Sequence, residues 1–306
     1  MFMLKLIKEI GQYGLTCIGI ILLLASPAMI GGLNTFTSTI LTIMKNILQP
    51  HTLSYYVHSE TRSYARMPEV RSEEFHQQAV TIDLFPYITD SYFYSLTLLL
   101  GSFIIAVFIV MIASMMYIHF PPFLKKIILA TVGILESLPD VFFIFSIQLS
   151  VVWFYKQTGI ELAAAYSTDD KPAYLLPLLT LSVVPCIYLL KMNLLFMKEE
   201  MEKDYVLFAK SKGISNAAIS FHHILKNTVM ECLTHLPVII LVLVTNLVVL
   251  EFLFNSSGIM RFIIGDQPAA SRAFMLILLM TPLFIVVKGT IHYRQRFYGK
   301  KGGGNG

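Results

Sequence analysis

Long, nearly unbroken apolar blocks alternate with polar segments along the whole chain, at roughly residues 12–32, 94–118, 127–154, 173–196, 235–254 and 273–291. A soluble core is built from apolar stripes at helical or strand spacing, not from continuous blocks. A helix that crosses a bilayer needs about 20 predominantly apolar residues. The pattern therefore predicts an all-α, polytopic membrane protein with six transmembrane helices. The first block follows Lys5 and Lys8 and ends near Ser26-Pro27-Ala28, as a cleavable signal would. It is long for such a signal and five further blocks follow, so a retained anchor is expected.

The polar segments divide the chain into a short N-terminus (1–11), the first span (12–32), a long segment (33–93), a five-span core (94–296) and a glycine-rich tail (297–306) expected to be flexible. Within 33–93, Thr39 to Leu48 is patterned as a short amphipathic interfacial helix. His51, His58 and His76 lack metal-ligand spacing, and Asn255-Ser256-Ser257 is a formal glycosylation triplet to which no weight attaches.

Composition agrees: 56% of the 306 residues are hydrophobic and 14% charged, against about 45–50% and about 25% in soluble domains. Placing the N-terminus inside puts 15 of the 23 Lys and Arg residues in the inner segments. The positive-inside rule then puts both termini in the cytoplasm and makes residues 197–228 an inner loop. The net charge of +4 is modest and its bases are scattered, which argues against nucleic acid. Cys17, Cys186 and Cys232 show no C-x-x-C pairing, so neither a disulfide framework nor a zinc site is indicated. The chain has no G-x-x-x-x-G-K-[ST] phosphate loop, no G-x-S-x-G elbow and no H-E-x-x-H helix. It is not expected to be an enzyme or to bind a cofactor.

The loop from Met197 to Asn227 reads as helix, turn, helix. Met201, Tyr205, Phe208 and Ala209 recur at helical spacing, Gly213 stops the first helix behind Lys210 and Lys212, and Ser215 caps the second. Ile214, Ala217, Ala218, Ile219 and Phe221 then form a small apolar surface. Such a surface suits docking in a partner's groove, or folding back on its own bundle.

The pattern Asp204-Tyr205-x-x-x-Ala209-Lys210-x-Lys212-Gly213-Ile214-Ser215, followed by His223-x-Leu225-Lys226-Asn227, resembles the EAA loop of ABC-importer permeases of the dipeptide, oligopeptide and nickel family. Leu138-Pro139, the run Leu176-Pro177-Leu178-Leu179-Thr180-Leu181, Glu251-x-x-Phe254-x-x-x-Gly258-Ile259 and Asp266-x-Pro268 extend the resemblance over about residues 85–275. Departures are Lys191 and Leu194 where the family usually has arginines, His222 before the loop histidine, and Lys288 and His292 in the last span.

The resemblance implies a type I ABC-importer permease in the plasma or inner membrane, carrying peptides, nickel, metal chelates or a related solute. Its loop would form the coupling helix, with Ala209 and Gly213 at the hallmark positions. The implied partners are two ATPase subunits that carry ATP and magnesium, a second and related permease subunit, and an extracytoplasmic solute-binding protein.

Glu136 and Asp140 lie four residues apart, which is one face of an unbroken helix, about 14 Å in from Ile127. Charges at that depth line a water-filled path, share a proton or meet a cation. Alternatively, Pro139 breaks the helix and the carboxylates satisfy freed backbone groups. Glu251 near its span's outer end is a gate or inter-subunit contact, or else a snorkelling end residue. Phe142, Phe143, Phe145 and Trp153 read as packing. Rival readings are an ion-driven carrier using Glu136 and Asp140, and a diverged subunit that anchors or regulates an assembly.

Overall fold

In the computed structural model, residues 2–64, 73–164, 166–167, 172–219 and 224–302 are described. The chain is mostly helical and divides into two compact units, residues 1–93 with 258–284, and 94–257 with 285–306. Among the described residues, five helices are long and apolar enough to span a membrane, or six if one sharply bent pair counts as a single span.

In the first unit, α1 (Phe2–Ala25) supplies the first span, which runs on through a 3-10 turn to Gly31. The Tyr13 hydroxyl and Thr281 Oγ1 of α12 (Ala269–Gly302) lie 2.6 Å apart, which pins α1 to that helix. Gly32, at φ +98°, turns the chain into α2 (Leu33–Leu48), whose Ile43 is buried while Leu41 and Leu48 are exposed.

The purely helical expectation fails at the next segment. β1 (Ser54–Tyr64) and β2 (Glu73–Asp83) form an antiparallel hairpin, from Ser54 opposite Asp83 to Tyr64 opposite Glu73. Mixed polar and charged residues hide the strand alternation. Two side chains tie down the base of the hairpin: Ser271 Oγ donates to the Ser54 carbonyl at 2.6 Å, and Gln267 holds Tyr56. Gln267 Oε1 accepts from the Tyr56 N–H at 2.8 Å, and its Nε2 donates to the Tyr56 carbonyl at 3.0 Å, as a neighbouring strand would. Tyr55 packs on Phe262 of α11 (Ile259–Ile264) with ring centroids 4.8 Å apart. Gln267→Ala leaves both part-buried Tyr56 groups without this partner, at about 1 kcal/mol, the scale of an ordinary net hydrogen bond. Faster hydrogen exchange across Ser54–Val57 is expected, and unchanged protection there would disprove the tie.

The second unit holds most of α3 (Tyr87–His119), then α4 (Pro122–Glu136), α5 (Asp140–Thr158), α6 (Leu175–Met201), α7 (Asp204–Ser211), α8 (Asn216–Ile219), α9 (Leu225–Cys232) and α10 (Leu236–Leu253). α6 is central and packs against α4, α5, α9 and α10. Gly101 lets α3 approach α6 closely, since a Cβ there would meet Leu178 Cδ1 at 2.8 Å. Small residues allow such approaches between membrane helices. Farther along, Asn193 Nδ2 of α6 donates to Ser114 Oγ of α3 at 2.5 Å, both residues being buried.

The expected span 127–154 is not one helix. α4 and α5 meet at a break of 97° over Ser137-Leu138-Pro139. Proline has no N–H, its ring clashes with the carbonyl four residues back, and it disfavours helical geometry in the residue before it. Pro139 itself is extended, with ψ 140°, and starts α5 as its cap. α12 continues to Gly302, into the segment expected to be flexible.

Candidate functional site

The loop between α6 and α10 folds as local chemistry dictates. Asp204 sits in the first turn of α7 and Lys210 in its last, both on the side that the helix dipole favours. Gly213 takes φ +78°. The Gly213 N–H donates to the Lys210 carbonyl at 2.9 Å and the Ile214 N–H to the Ala209 carbonyl at 3.3 Å. This pair of bonds is the Schellman closure, in which the left-handed residue follows the helix and the next residue reaches back five positions. Ala209 and Gly213 thus belong to one backbone motif. Ser215 Oγ accepts from the Ala218 N–H at 3.3 Å and caps α8.

The loop has two faces. Val206 and Ile219 are buried with Leu194, Met197 and Ile224 in one cluster, against which Tyr205 and Ala209 pack. The opposite face stays open: Leu207 is 56%, Phe208 62% and Ile214 44% exposed, beside exposed Asp204, Lys210, Gly213 and Ser215. The sequence pattern groups Phe208 on one apolar face with Met201, Tyr205 and Ala209, yet Phe208 is exposed and Val206 is the residue buried with the cluster. Ile219, read as part of the free apolar surface, is fully covered. α8 itself holds Ala217, and His223 lies outside the described residues, as do Phe221 and His222.

Asn227 and Tyr205 meet at a residue that the pattern did not single out, Glu200. Its Oε1 accepts from the Tyr205 hydroxyl at 2.8 Å and from Asn227 Nδ2 at 2.6 Å, and its Oε2 pairs with Lys203. Burial, then the hydrogen bond and charge of Glu200, push the Tyr205 hydroxyl above the usual tyrosine range, so it remains a donor. One signal was available: Asn193, Met197 and Glu200 share the i, i+4, i+7 stripe of α6, and all three are buried.

At the broken span, Glu136 ends α4 and Asp140 opens α5, so the two carboxylates do not share a helical face. Glu136 instead pairs with Lys191 of α6, each side chain about one third exposed (32% and 34%). Lys191 was read from sequence as a departure without a role. Pro139 is exposed at the corner. Glu251 lies elsewhere, 2% exposed between α10 and α3, where Ser95 Oγ donates to it. The end of α10 is closed around it, with Ser256 N–H to the Glu251 carbonyl at 3.0 Å and Ser167 N–H to the Phe254 carbonyl at 2.8 Å.

Helices long and apolar enough to span a membrane, one pair of them broken at a charged corner, mark a polytopic membrane protein. The chain belongs to the family of binding-protein-dependent transport system inner membrane components, which it matches over residues 109–293, more than half its length. It is accordingly a non-catalytic, inner-membrane component. It is 27% identical over 133 residues to the di/tripeptide transport system permease protein DppB of Pseudomonas aeruginosa, covering 40% of each chain. To the dipeptide transport system permease protein DppB of Haemophilus influenzae it is 27% identical over 151 residues, 45% of this chain and 44% of the relative. To the probable peptide ABC transporter permease protein y4tP of Sinorhizobium fredii it is 32% identical over 108 residues, 34% of each. The chain thus matches less than half the length of each of these relatives.

Proposed function

We propose that the chain is one permease subunit of an ATP-driven, peptide-type importer, forming half of the translocation path with a second, related permease subunit. Two ATPase subunits, which hold ATP and magnesium, dock on the loop 197–228, and an extracytoplasmic binding protein delivers solute. Both termini face the cytoplasm, which the distribution of Lys and Arg supports. The peptide permeases among its relatives support peptide over nickel or metal chelates.

The observation that carries this reading is the split character of α7. One side packs on the bundle through Val206, while Leu207 and Phe208 stand exposed on a helix just eight residues long. Exposed apolar surface on a fixed short helix suits insertion in a groove. ATP binding closes the ATPases, the loop follows its groove, and the paired bundles exchange inward-open for outward-open states. Nucleotide shifts that equilibrium by binding one state more tightly than the other. Glu136, Pro139 and Asp140 suit the path, because irregular backbone at membrane depth is tolerated where it is covered by protein or lines water. The closed packing around Glu251 suits an outer gate. The pairing of Glu136 with Lys191 weighs against an ion-driven carrier that uses Glu136 as a free proton acceptor.

Gentle purification of the whole chain tests the reading. ATPases and a homologous membrane subunit should accompany it, and Phe208→Glu, on the open face of α7, should lose the ATPases while membrane insertion persists. Recovery of Phe208→Glu with its ATPases would refute docking at this face, and a chain that purifies alone would refute the importer.

A further inference from the structure

Among the described residues, the buried carboxylates are Glu251 and Glu200, and Glu200 stands where the loop joins the bundle. It is 4% exposed in the last turn of α6 and holds partners from three places: Lys203 in the turn leaving α6, Tyr205 in α7 and Asn227 in α9. Tyr205 and Asn227 also approach each other at 3.5 Å, which closes the ring. The ring is part-buried, with Lys203 half exposed at its edge, and hydrogen bonds to a carboxylate are shorter and stronger than neutral ones.

Packing alone holds α7 less firmly. Beside it lies a cavity of about 150 Å3, lined by Ile118, Met201, Val206, Ile219 and Ile224 together with Lys125 and Lys210, so the helix has room to shift. On the other side of Glu200 the same stripe of α6 continues to Asn193, which binds Ser114 of α3 and accepts from Cys232 Sγ of α9 at 3.7 Å. A contiguous polar and packed route therefore leads from α7 through α6 to α3 and α9.

We propose that Glu200 is a positioning residue that makes the loop and the inner end of α6 move as one body, so that displacement of α7 by a partner is delivered into the bundle. The proposal rests on the reading of α7 as a docking helix. Without the carboxylate, α7 can follow its partner by sliding over the cavity while α6 stays in place.

Hydrogen exchange on the complete assembly in nanodiscs, compared without nucleotide and with ATP plus vanadate, tests this without needing the solute. In the unmodified assembly nucleotide should change exchange both in 204–211 and in 189–200. Glu200→Ala should keep the change in 204–211 and reduce that in 189–200 by about fivefold or more, the scale of ordinary coupling between sites. Glu200→Gln should restore it, because an amide oxygen still accepts from Tyr205 and Asn227. Tyr205→Phe removes one bond of the ring and should weaken the response in 189–200 partially, which serves if the alanine variant does not assemble. Full transmission in both Glu200→Ala and Tyr205→Phe would overturn the proposal, as would a glutamine variant that fails like the alanine one. An unmodified assembly whose 204–211 segment ignores nucleotide would sink the docking reading, and this inference with it.

Discussion

Gly213→Val should abolish solute uptake in reconstituted vesicles while leaving the chain inserted in the membrane. Gly213 holds φ +78°, and a built Cβ meets nothing of this chain within 4 Å, so the fold itself offers no clash. The cost is conformational: an L-residue in the left-handed region loses roughly 1–2 kcal/mol, and a β-branched one has no easy rotamer there. To escape, the backbone must give up the Ile214-to-Ala209 and Gly213-to-Lys210 bonds that aim α8 away from α7. Gly213→Asn separates backbone from groove, because asparagine tolerates the left-handed region. If the asparagine variant transports and the valine variant does not, backbone geometry is what the loop requires. If both fail, the partner's groove has no room for a side chain. Uptake by the valine variant at more than about a tenth of the original rate, a deficit of under 1.4 kcal/mol, would refute a coupling role for the turn.

Removing one member of the Glu136–Lys191 pair should cost more than removing both. Glu136→Gln leaves an unpaired ammonium beside the bend, and Lys191→Met leaves an unpaired carboxylate. Lone charges within a membrane bundle are expensive, and the penalty for breaking a pair is mostly that of the abandoned partner. Each group is about one third exposed, so solvent screening brings the expected loss for each single variant down to about 1 kcal/mol. The double variant should regain most of that in thermal unfolding of the purified chain, and the recovered difference is the coupling energy of the pair. The exchanged pair Glu136→Lys with Lys191→Glu asks a further question. Restored stability with lost uptake would mark a solute path that senses the order of the charges, whereas restoration of both would mark a clasp holding the bent span. Singles no worse than the double variant would show that the pair contributes nothing.

The hairpin and the broken span show how far local pattern carries. β1 and β2 are too polar for an apolar alternation to announce them, and their base is held by Gln267, 211 residues from Tyr56, and Ser271, 217 residues from Ser54. The corner at Ser137–Pro139 is written in one proline, but continuous apolar residues on both sides of it read as a single span. A bilayer favours apolar side chains on either side of a bend, so hydropathy alone does not register a change of direction. At the loop, the inner and outer faces of α7 were partly exchanged, since Val206, Leu207 and Phe208 are all apolar and the contacts of α6, α8 and α9 choose which one is covered.

The sequence by itself determined what neighbours along the chain decide: apolar blocks that must leave water, a turn that needs glycine at 213, a cap at Ser215, and the family that those residues spell. Tertiary structure alone decided what distant residues decide together. Glu136 finds Lys191 55 positions away, Glu200 finds Asn227 27 positions away, and Glu251 finds Ser95 156 positions away. The reason is energetic. Periodicity and backbone preference act on a segment whatever surrounds it, but a charge or amide in a dry place must take whichever partner the packed helices bring within about 3 Å.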